Sequence, residues 1–113
     1  MANRNRTAGH NYERILVKEF KELGYQHCCT SRAESKNRDD AGVDLCYSGH
    51  FNVQAKYTQN APNMHTLLAS MPEEDGQINV VFHKRKNVGE TVTMTKKDFY
   101  ELHKELDITK NLK

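Results

Sequence analysis

The sequence predicts a single mixed α/β domain in which a small sheet is flanked by helices. Amphipathic segments with helical spacing lie near both ends of the chain, and the runs between them alternate apolar and polar residues and are separated by glycine-containing turns. The predicted order is α-β-β-β-α-β-β-α, which favours a sheet covered by helices on both faces. A chain of 113 residues has room for one core and no second domain.

The N-terminal part of the chain is predicted to consist of an arm and a helix. Residues 1–9 are polar, contain two arginines and end in glycine, which predicts a flexible or substrate-ordered basic arm ahead of a single domain at 10–113. The first helix is predicted from His10 to Leu23, with Gly24 as its stop. Its apolar residues follow helical spacing: Leu16, Val17, Phe20 and Leu23.

Three strands are predicted in the centre of the chain. The first is a short run at 25–31, bounded by an aromatic residue, and a polar connection follows it. The next two runs, 43–47 and 51–57, alternate in polarity around a Ser48-Gly49 turn, which is typical of a β-hairpin.

The second half of the chain predicts a helix, two strands and a last helix. A short helix is expected at 63–71, between two prolines, and strands are expected at 77–84 and 90–95. A capping-like run from Thr95 to Asp98 then opens an amphipathic helix. The apolar residues of that helix are Phe99, Leu102 and Leu106.

Charge and hydropathy limit the possible classes of protein. The formal charge is +2, with 17 Lys and Arg against 15 Asp and Glu, which by itself does not indicate a nucleic-acid binder. Basic residues are concentrated in 1–38 and at Lys84-Arg85-Lys86, a pattern that fits either a basic groove or an ordinary solvated face. No signal-like or membrane-spanning run is found in the sequence, which predicts a protein without a membrane partner.

The three cysteines indicate a reducing, cytoplasmic setting, because their number is odd and they lack C-x-x-C spacing. His27, Cys28, Cys29 and Cys46 are residue types that bind zinc. Adjacent cysteines on a strand point to opposite faces, however, so buried thiols are the preferred interpretation.

The most informative residues are Asp44, Gln54 and Lys56, on the polar faces of the predicted hairpin. Pairing across a two-residue turn places Asp44 opposite about residue 53, so a carboxylate, an amide and an ammonium converge. The oxygens suit Mg²⁺, and the lysine would stabilise charge developing at a phosphate or activate the attacking water. Glu13, on the core-facing stripe of the first helix, adds a second carboxylate. Each residue alone also fits an ordinary role: a solvated first-turn glutamate, a locally paired aspartate or an edge lysine.

Four runs of the sequence, GHNYERILVKEFKELGY, SR, GVDL and QAK, resemble the PD-(D/E)xK nuclease superfamily, specifically the archaeal-type Holliday-junction resolvases. The likeness covers about residues 6–57, and its most specific part is the run Tyr12-Glu13-Arg14. The resemblance implies a restriction-endonuclease-like core and a homodimer that cuts branched DNA during recombination. A small standalone nuclease of this kind would suit a virus or mobile element that acts in the host cytoplasm.

The same resemblance implies catalytic roles for Glu13, Asp44, Gln54 and Lys56. The first three would bind Mg²⁺, for which Mn²⁺ would substitute. Two positions depart from the pattern of the family. Gly42-Val43 precedes the aspartate where the family usually has proline, and Gln54 stands where the family has an acidic residue, which removes one negative charge from the site.

DNA contacts are expected from basic and polar residues of the arm, the first helix, the connection and the later hairpin. The expected set is Arg6, His10, Arg14, Ser31, Arg32, Ser35, Lys84, Arg85 and Lys86. Asp39 and Asp40 either assist the metal or are ordinary turn residues.

The leading hypothesis is therefore a metal-dependent DNA endonuclease. Two alternatives stay open: a structure-specific DNA-binding module in which Gln54 has ended catalysis, and a plain interaction domain. Salt-dependent binding without metal-dependent cleavage would indicate the binding module.

Overall fold

The computed structural model describes residues 2–106 of the chain. Its first helix, α1, spans Ala2–Glu22 and buries Tyr12, Leu16 and Phe20, which are spaced by four residues. Residues 2–9 therefore continue the helix, whereas the sequence predicted an arm that ends at residue 9. The first two turns were missed because the apolar stripe begins only at Tyr12.

Within the described residues nine further elements follow α1, and most are short. They are β1 (Cys29–Thr30), α2 (Ser31–Glu34), α3 (Lys36–Asp40), β2 (Leu45–Cys46), β3 (Phe51–Tyr57), α4 (Met64–Ser70), β4 (Ile78–Arg85), β5 (Gly89–Thr93) and α5 (Lys96–Leu106).

The predicted mixed α/β class is confirmed, with a small mixed sheet flanked by helices. Two local predictions were wrong. The strand at 25–31 is reduced to the two residues of β1, and the polar connection folds into α2 and α3. Ser35 contributes to the second difference because its hydroxyl accepts a hydrogen bond from the backbone N–H of Arg38, which caps α3.

The strands form two sheets. β1 and β2 are an antiparallel pair, while β3, β4 and β5 form a sheet in which β3 and β4 are parallel and β4 and β5 antiparallel. The predicted hairpin of 43–47 and 51–57 is therefore only partly formed. β2 pairs with β1, and a bond from the backbone N–H of Asp44 to the carbonyl of Val53, at 2.7 Å, connects the chain before β2 to β3.

The core lies on both faces of the three-stranded sheet, which explains why β3 and β4 carry few exposed residues. On one face, α1 packs its buried side chains against Leu45, Val53 and Val80. On the other face, a smaller cluster beneath α4 contains Val43, Met71 and Val81. The alternation of β3 then directs its polar residues away from α1.

The helices at the two ends of the chain differ in how well they are buried. α1 inserts three large side chains into the core, whereas α5 leaves Phe99, Tyr100 and Leu106 exposed. Within residues 2–106, neither these helices nor the shorter ones have the length and hydrophobicity needed to cross a membrane.

Candidate active site

Glu13 lies on the inner side of α1 and is only 8% exposed. Since α1 begins at Ala2, Glu13 is well beyond the first turn, and the interpretation as a solvated first-turn glutamate was wrong. Its carboxylate accepts a hydrogen bond from Arg32 Nε, with 3.0 Å between Nε and Oε1. A buried carboxylate normally requires such a partner, because burial without one is costly.

Asp44 is held from three directions at the point where the chain enters β2. Its backbone N–H donates to Val53, its carbonyl accepts from the N–H of Ser31 at 2.7 Å, and its Oδ2 accepts from the N–H of Ala55 at 2.8 Å. The Asp44 carboxylate thus accepts from the N–H of Ala55, a backbone donor that the carbonyl of a neighbouring strand would accept from in a regular sheet. These contacts give the side chain a defined position next to β3.

The charges around Asp44 show which groups the fold brings together. Burial raises the pKa of Asp44 to about 6, and the charges of Glu13 and Asp39 act in the same direction. The bond from Ala55 and the ammonium of Lys56 oppose this shift in pKa. The carboxylates of Glu13 and Asp39 and the ammonium of Lys56 are therefore close enough to act on one buried acid.

Gln54 is buried on the face of β3 that points away from α1. Its Oε1 has no hydrogen-bond partner among the described residues. Buried polar atoms are nearly always paired, so this oxygen is a candidate ligand atom. The other end of the amide lies against Gly42, two residues before Asp44.

Lys56 follows Gln54 by two residues and shares its face of β3, half-buried. In the register of the parallel pair, it lies beside the buried His83 of β4. The Nε2 of His83 is 2.8 Å from Thr58 Oγ1. Local sequence patterns do not place His83 next to the site, because this neighbourhood depends on the parallel pairing of β3 and β4. Glu13, Asp44, Gln54 and Lys56 are named the Asp44 cluster below.

A second polar residue on the same face, Asn52, contrasts with Gln54 because its hydrogen bonds are satisfied. Its Oδ1 accepts from Arg38 Nη2 at 3.0 Å, and its Nδ2 donates to Glu74 and Asn79 at 3.0 and 2.9 Å. Sequence reasoning missed this network, which ties α3 and the segment before β4 to the sheet. Within this strand the unsatisfied amide oxygen is thus specific to Gln54.

The expected DNA-contacting residues differ in exposure, and one of them is not on the surface. Ser31 is fully buried, with its hydroxyl 3.5 Å from Cys46 Sγ, and its backbone supports Asp44, so it has a structural contact in the fold. Lys84 lies on the α1 side of the sheet, with its ammonium 5.9 Å from the ring centroids of Tyr12 and Tyr57.

The other members of the expected DNA-contacting set are closer to solvent. Arg6, Arg14, Arg85 and Lys86 are exposed, the side chain of Arg32 is 28% exposed, and His10 and Ser35 are half-buried. The structure therefore does not bring the whole set together into one patch.

The cysteines match the prediction of buried thiols in two of three cases. Cys28 and Cys46 are buried, Cys29 is half-buried, and all three are free. Burial raises the pKa of Cys28 and of Cys29, which keeps both as neutral thiols.

The fit of a divalent cation depends on the amide oxygen. Within residues 2–106, no three His, Cys, Asp or Glu side chains lie together as a metal-binding group. The Asp44 cluster has two carboxylates, and the unsatisfied Oε1 of Gln54 belongs to the adjacent strand β3. Carboxylate and amide oxygens are the ligand types that Mg²⁺ takes while it keeps several of its waters.

Gly42→Ala is expected to impair the site through Gln54. The φ of Gly42 is +83°, and a Cβ there would lie 2.7 Å from Gln54 Nε2, so the amide would have to move. Gly76→Ala is the matched control, because its φ is +77° and nothing lies within 4 Å. Both variants should lose about 1 kcal/mol of stability from backbone strain. Only Gly42→Ala should also weaken Mg²⁺ binding measured by calorimetry, and equal binding by the two variants would contradict this role of Gln54.

The chain matches no family model, and neither the curated proteins nor the solved structures gave a match. Any function for the chain therefore rests on the residues of the site.

Proposed function

We propose that the protein is a Mg²⁺-dependent DNA endonuclease that hydrolyses phosphodiesters in branched DNA, in the manner of a Holliday-junction resolvase. The observation that carries the proposal is the environment of Asp44. A helical glutamate and a strand lysine act on this one buried carboxylate, and an amide oxygen without a hydrogen-bond partner lies on the neighbouring strand. This combination of charges and oxygen ligands suits phosphate chemistry at a hard cation.

The cation would be held by Glu13, Asp44 and Gln54. When bound, it would supply Lewis-acid polarisation of a phosphate oxygen. Mn²⁺ should substitute, because it also accepts carboxylate and amide oxygens. The backbone bond from Ala55 orients Asp44 in advance, so the ligand loses little side-chain freedom when the cation binds.

Lys56 would act on the phosphate rather than on the cation. A lysine ammonium is a donor and never a ligand, and it can neutralise the negative charge that develops as water attacks phosphorus. The half-buried position of Lys56 strengthens the attraction between its ammonium and the phosphate, because the effective dielectric constant is lower there than in bulk water.

The order of the elements supports a restriction-endonuclease-like arrangement. The helical Glu13 precedes Asp44, and Gln54 and Lys56 follow on the next strand in a Gln-x-Lys pattern. A resolvase must cut two symmetric strands of a junction, so we also propose a homodimer with two such sites. Light scattering at micromolar concentration should give twice the mass of one chain, and the mass of a single chain would contradict the dimer.

Cleavage of a panel of labelled DNAs tests the proposed function. Four-way junctions, flaps, nicked duplexes and plain duplexes should be incubated with Mg²⁺, Mn²⁺ or EDTA. We expect junctions to be cut in either metal and not in EDTA, and we expect Asp44→Asn to be inactive. If every substrate remains intact in both metals at high protein concentration, the protein is not this nuclease.

One observation favours a second function, a structure-specific DNA-binding module. Because Gln54 is neutral, the site has only two carboxylates, Glu13 and Asp44, as candidate metal ligands. Within the described residues, no three His, Cys, Asp or Glu side chains form a metal-binding group. Such a module would bind junctions with a strong salt dependence and an affinity that does not respond to Mg²⁺. Asp44→Asn would then bind DNA at least as well as the wild type, because it removes a negative charge.

A further inference from the structure

We infer that Arg32 is an internal counter-ion that competes with the divalent cation for Glu13 and is drawn away by a DNA phosphate. Metal binding and DNA binding would thereby become cooperative. This inference rests on the proposed function, because it assumes that Glu13 is a ligand. It adds a coupling between cation binding and DNA binding, which neither binding event requires by itself.

The ion pair between Arg32 and Glu13 is partly exposed and, within residues 2–106, leaves part of the guanidinium unpaired, so Arg32 can exchange one anionic partner for another. Arg32 Nε donates to Glu13 Oε1 at 3.0 Å, and the side chains are 28% and 11% exposed. Among the described residues, only Nε of this guanidinium has a hydrogen-bond partner. The terminal amino groups remain available to a second anion, although Arg32 already neutralises the buried carboxylate.

The backbone beneath Arg32 is fixed, so a change of partner requires movement of the side chain alone. Ser31 is fully buried, and its N–H donates to the carbonyl of Asp44. The backbone of Arg32 is therefore held in place by its neighbour Ser31, which is hydrogen-bonded to Asp44. Its long side chain can still rotate, because a substantial part of it is exposed.

Glu13 cannot form its ion pair with the Arg32 guanidinium and also bind a divalent cation without loss of affinity for one of them. A divalent cation at the Asp44 cluster would repel a positive charge that is hydrogen-bonded to one of its own ligands. Without DNA, the cation must break a charge-assisted hydrogen bond before it gains Glu13. With DNA, a phosphate offers the guanidinium two oxygens in a geometry that it binds well, which compensates for the broken bond.

The expected consequence is reciprocal. If DNA raises the affinity for the cation by some factor, the cation raises the affinity for DNA by the same factor. The wild type would then bind the cation weakly until DNA is present. The cation site would therefore be occupied mainly in protein that is already bound to DNA.

The test compares Arg32→Ala with Lys18→Ala. Lys18 is exposed on α1 and belongs neither to the Asp44 cluster nor to the expected DNA-contacting set, so its replacement removes one positive charge without removing the ion pair. Ca²⁺ affinity of the DNA-free proteins is measured by calorimetry, with Asp44→Asn to identify the site. Junction affinity is measured in Ca²⁺ and in EDTA.

We expect Arg32→Ala to bind Ca²⁺ about tenfold more tightly than the wild type, a typical size for coupling between sites. Lys18→Ala should change this affinity by less than about threefold, since exposed charges are screened. The ratio of junction affinities in Ca²⁺ and EDTA should fall towards one in Arg32→Ala and stay at the wild-type value in Lys18→Ala. Arg32→Gln, which can still donate a hydrogen bond to Glu13 but lacks the charge, should follow Arg32→Ala and carries the test if that variant does not fold.

Two results would overturn the inference. If the Arg32 variants bind Ca²⁺ no more tightly than Lys18→Ala, Arg32 does not compete for Glu13. If the ratio of junction affinities is unchanged in the Arg32 variants, Arg32 does not couple the two ligands. In either case cleavage by the wild type would still support the proposed function, whereas loss of all Asp44-dependent Ca²⁺ binding would remove both proposals.

Discussion

Lys56→Ala is expected to lower the rate of junction cleavage by about 10²–10³-fold while junction affinity falls by less than about tenfold. The lysine is half-buried at the Asp44 cluster, so it can contribute more to a transition state with additional phosphate charge than to the initial contact with DNA. Single-turnover cleavage and equilibrium binding, measured on the same junction, separate these two effects.

Lys104→Ala is the matched control for Lys56→Ala. Lys104 lies on α5, pairs with Glu101 at 3.3 Å and is largely exposed, so its removal changes the net charge by the same amount on a helix that contributes no residue to the Asp44 cluster. We expect nearly wild-type cleavage from this variant. Equal rates for Lys56→Ala and Lys104→Ala would show that Lys56 has no role in the reaction.

Asp44→Asn is expected to stabilise the protein in EDTA at pH 8 by about 1–3 kcal/mol, although we expect the same variant to lose the proposed cleavage activity. Burial raises the pKa of Asp44 in the folded protein to about 6, from an ordinary value of 3.8. Keeping this acid ionised at high pH therefore costs free energy of folding. An asparagine carries no charge, and its side-chain oxygen can still accept the bond from the N–H of Ala55.

The pH dependence of the effect follows from the direction of the pKa shift. The folded protein binds a proton at Asp44 more tightly than the unfolded chain, so the contribution of this residue to stability falls as pH rises from about 4 to about 6. The advantage of Asp44→Asn should grow over the same range and then stay constant. Urea unfolding at several pH values checks this, with Asp75→Asn as an exposed control. A constant difference between Asp44→Asn and the wild type from pH 4 to 8 would contradict the expected cost.

The helical part of the candidate site could be predicted because it depends on local periodicity. Leu16 and Phe20 define the inner stripe of α1, and Glu13 falls on that stripe. The contact opposite residue 53 could also be predicted, because Asp44 does donate to Val53. In both cases, neighbours in the sequence determine which side of an element a residue occupies.

The remaining parts depend on contacts between distant segments. Nothing in the local pattern around His83 indicates a parallel neighbour. Ser31 is buried where it contacts Cys46 of β2 and Asp44 just before β2, which are distant in the sequence. The connection before β2 was interpreted as a loop because serine, asparagine and aspartate favour turns. The same residue types also cap helices, as Ser35 does, and the sequence alone does not separate the two outcomes.

The neutral amide of Gln54 limits the negative charge beside an acid that is already costly to ionise. The charge of Glu13 raises the pKa of Asp44, and a glutamate in place of Gln54 would bury a further acid on the adjacent strand. The amide therefore keeps a polar side chain at this buried position of β3 without a further charge that folding would have to desolvate.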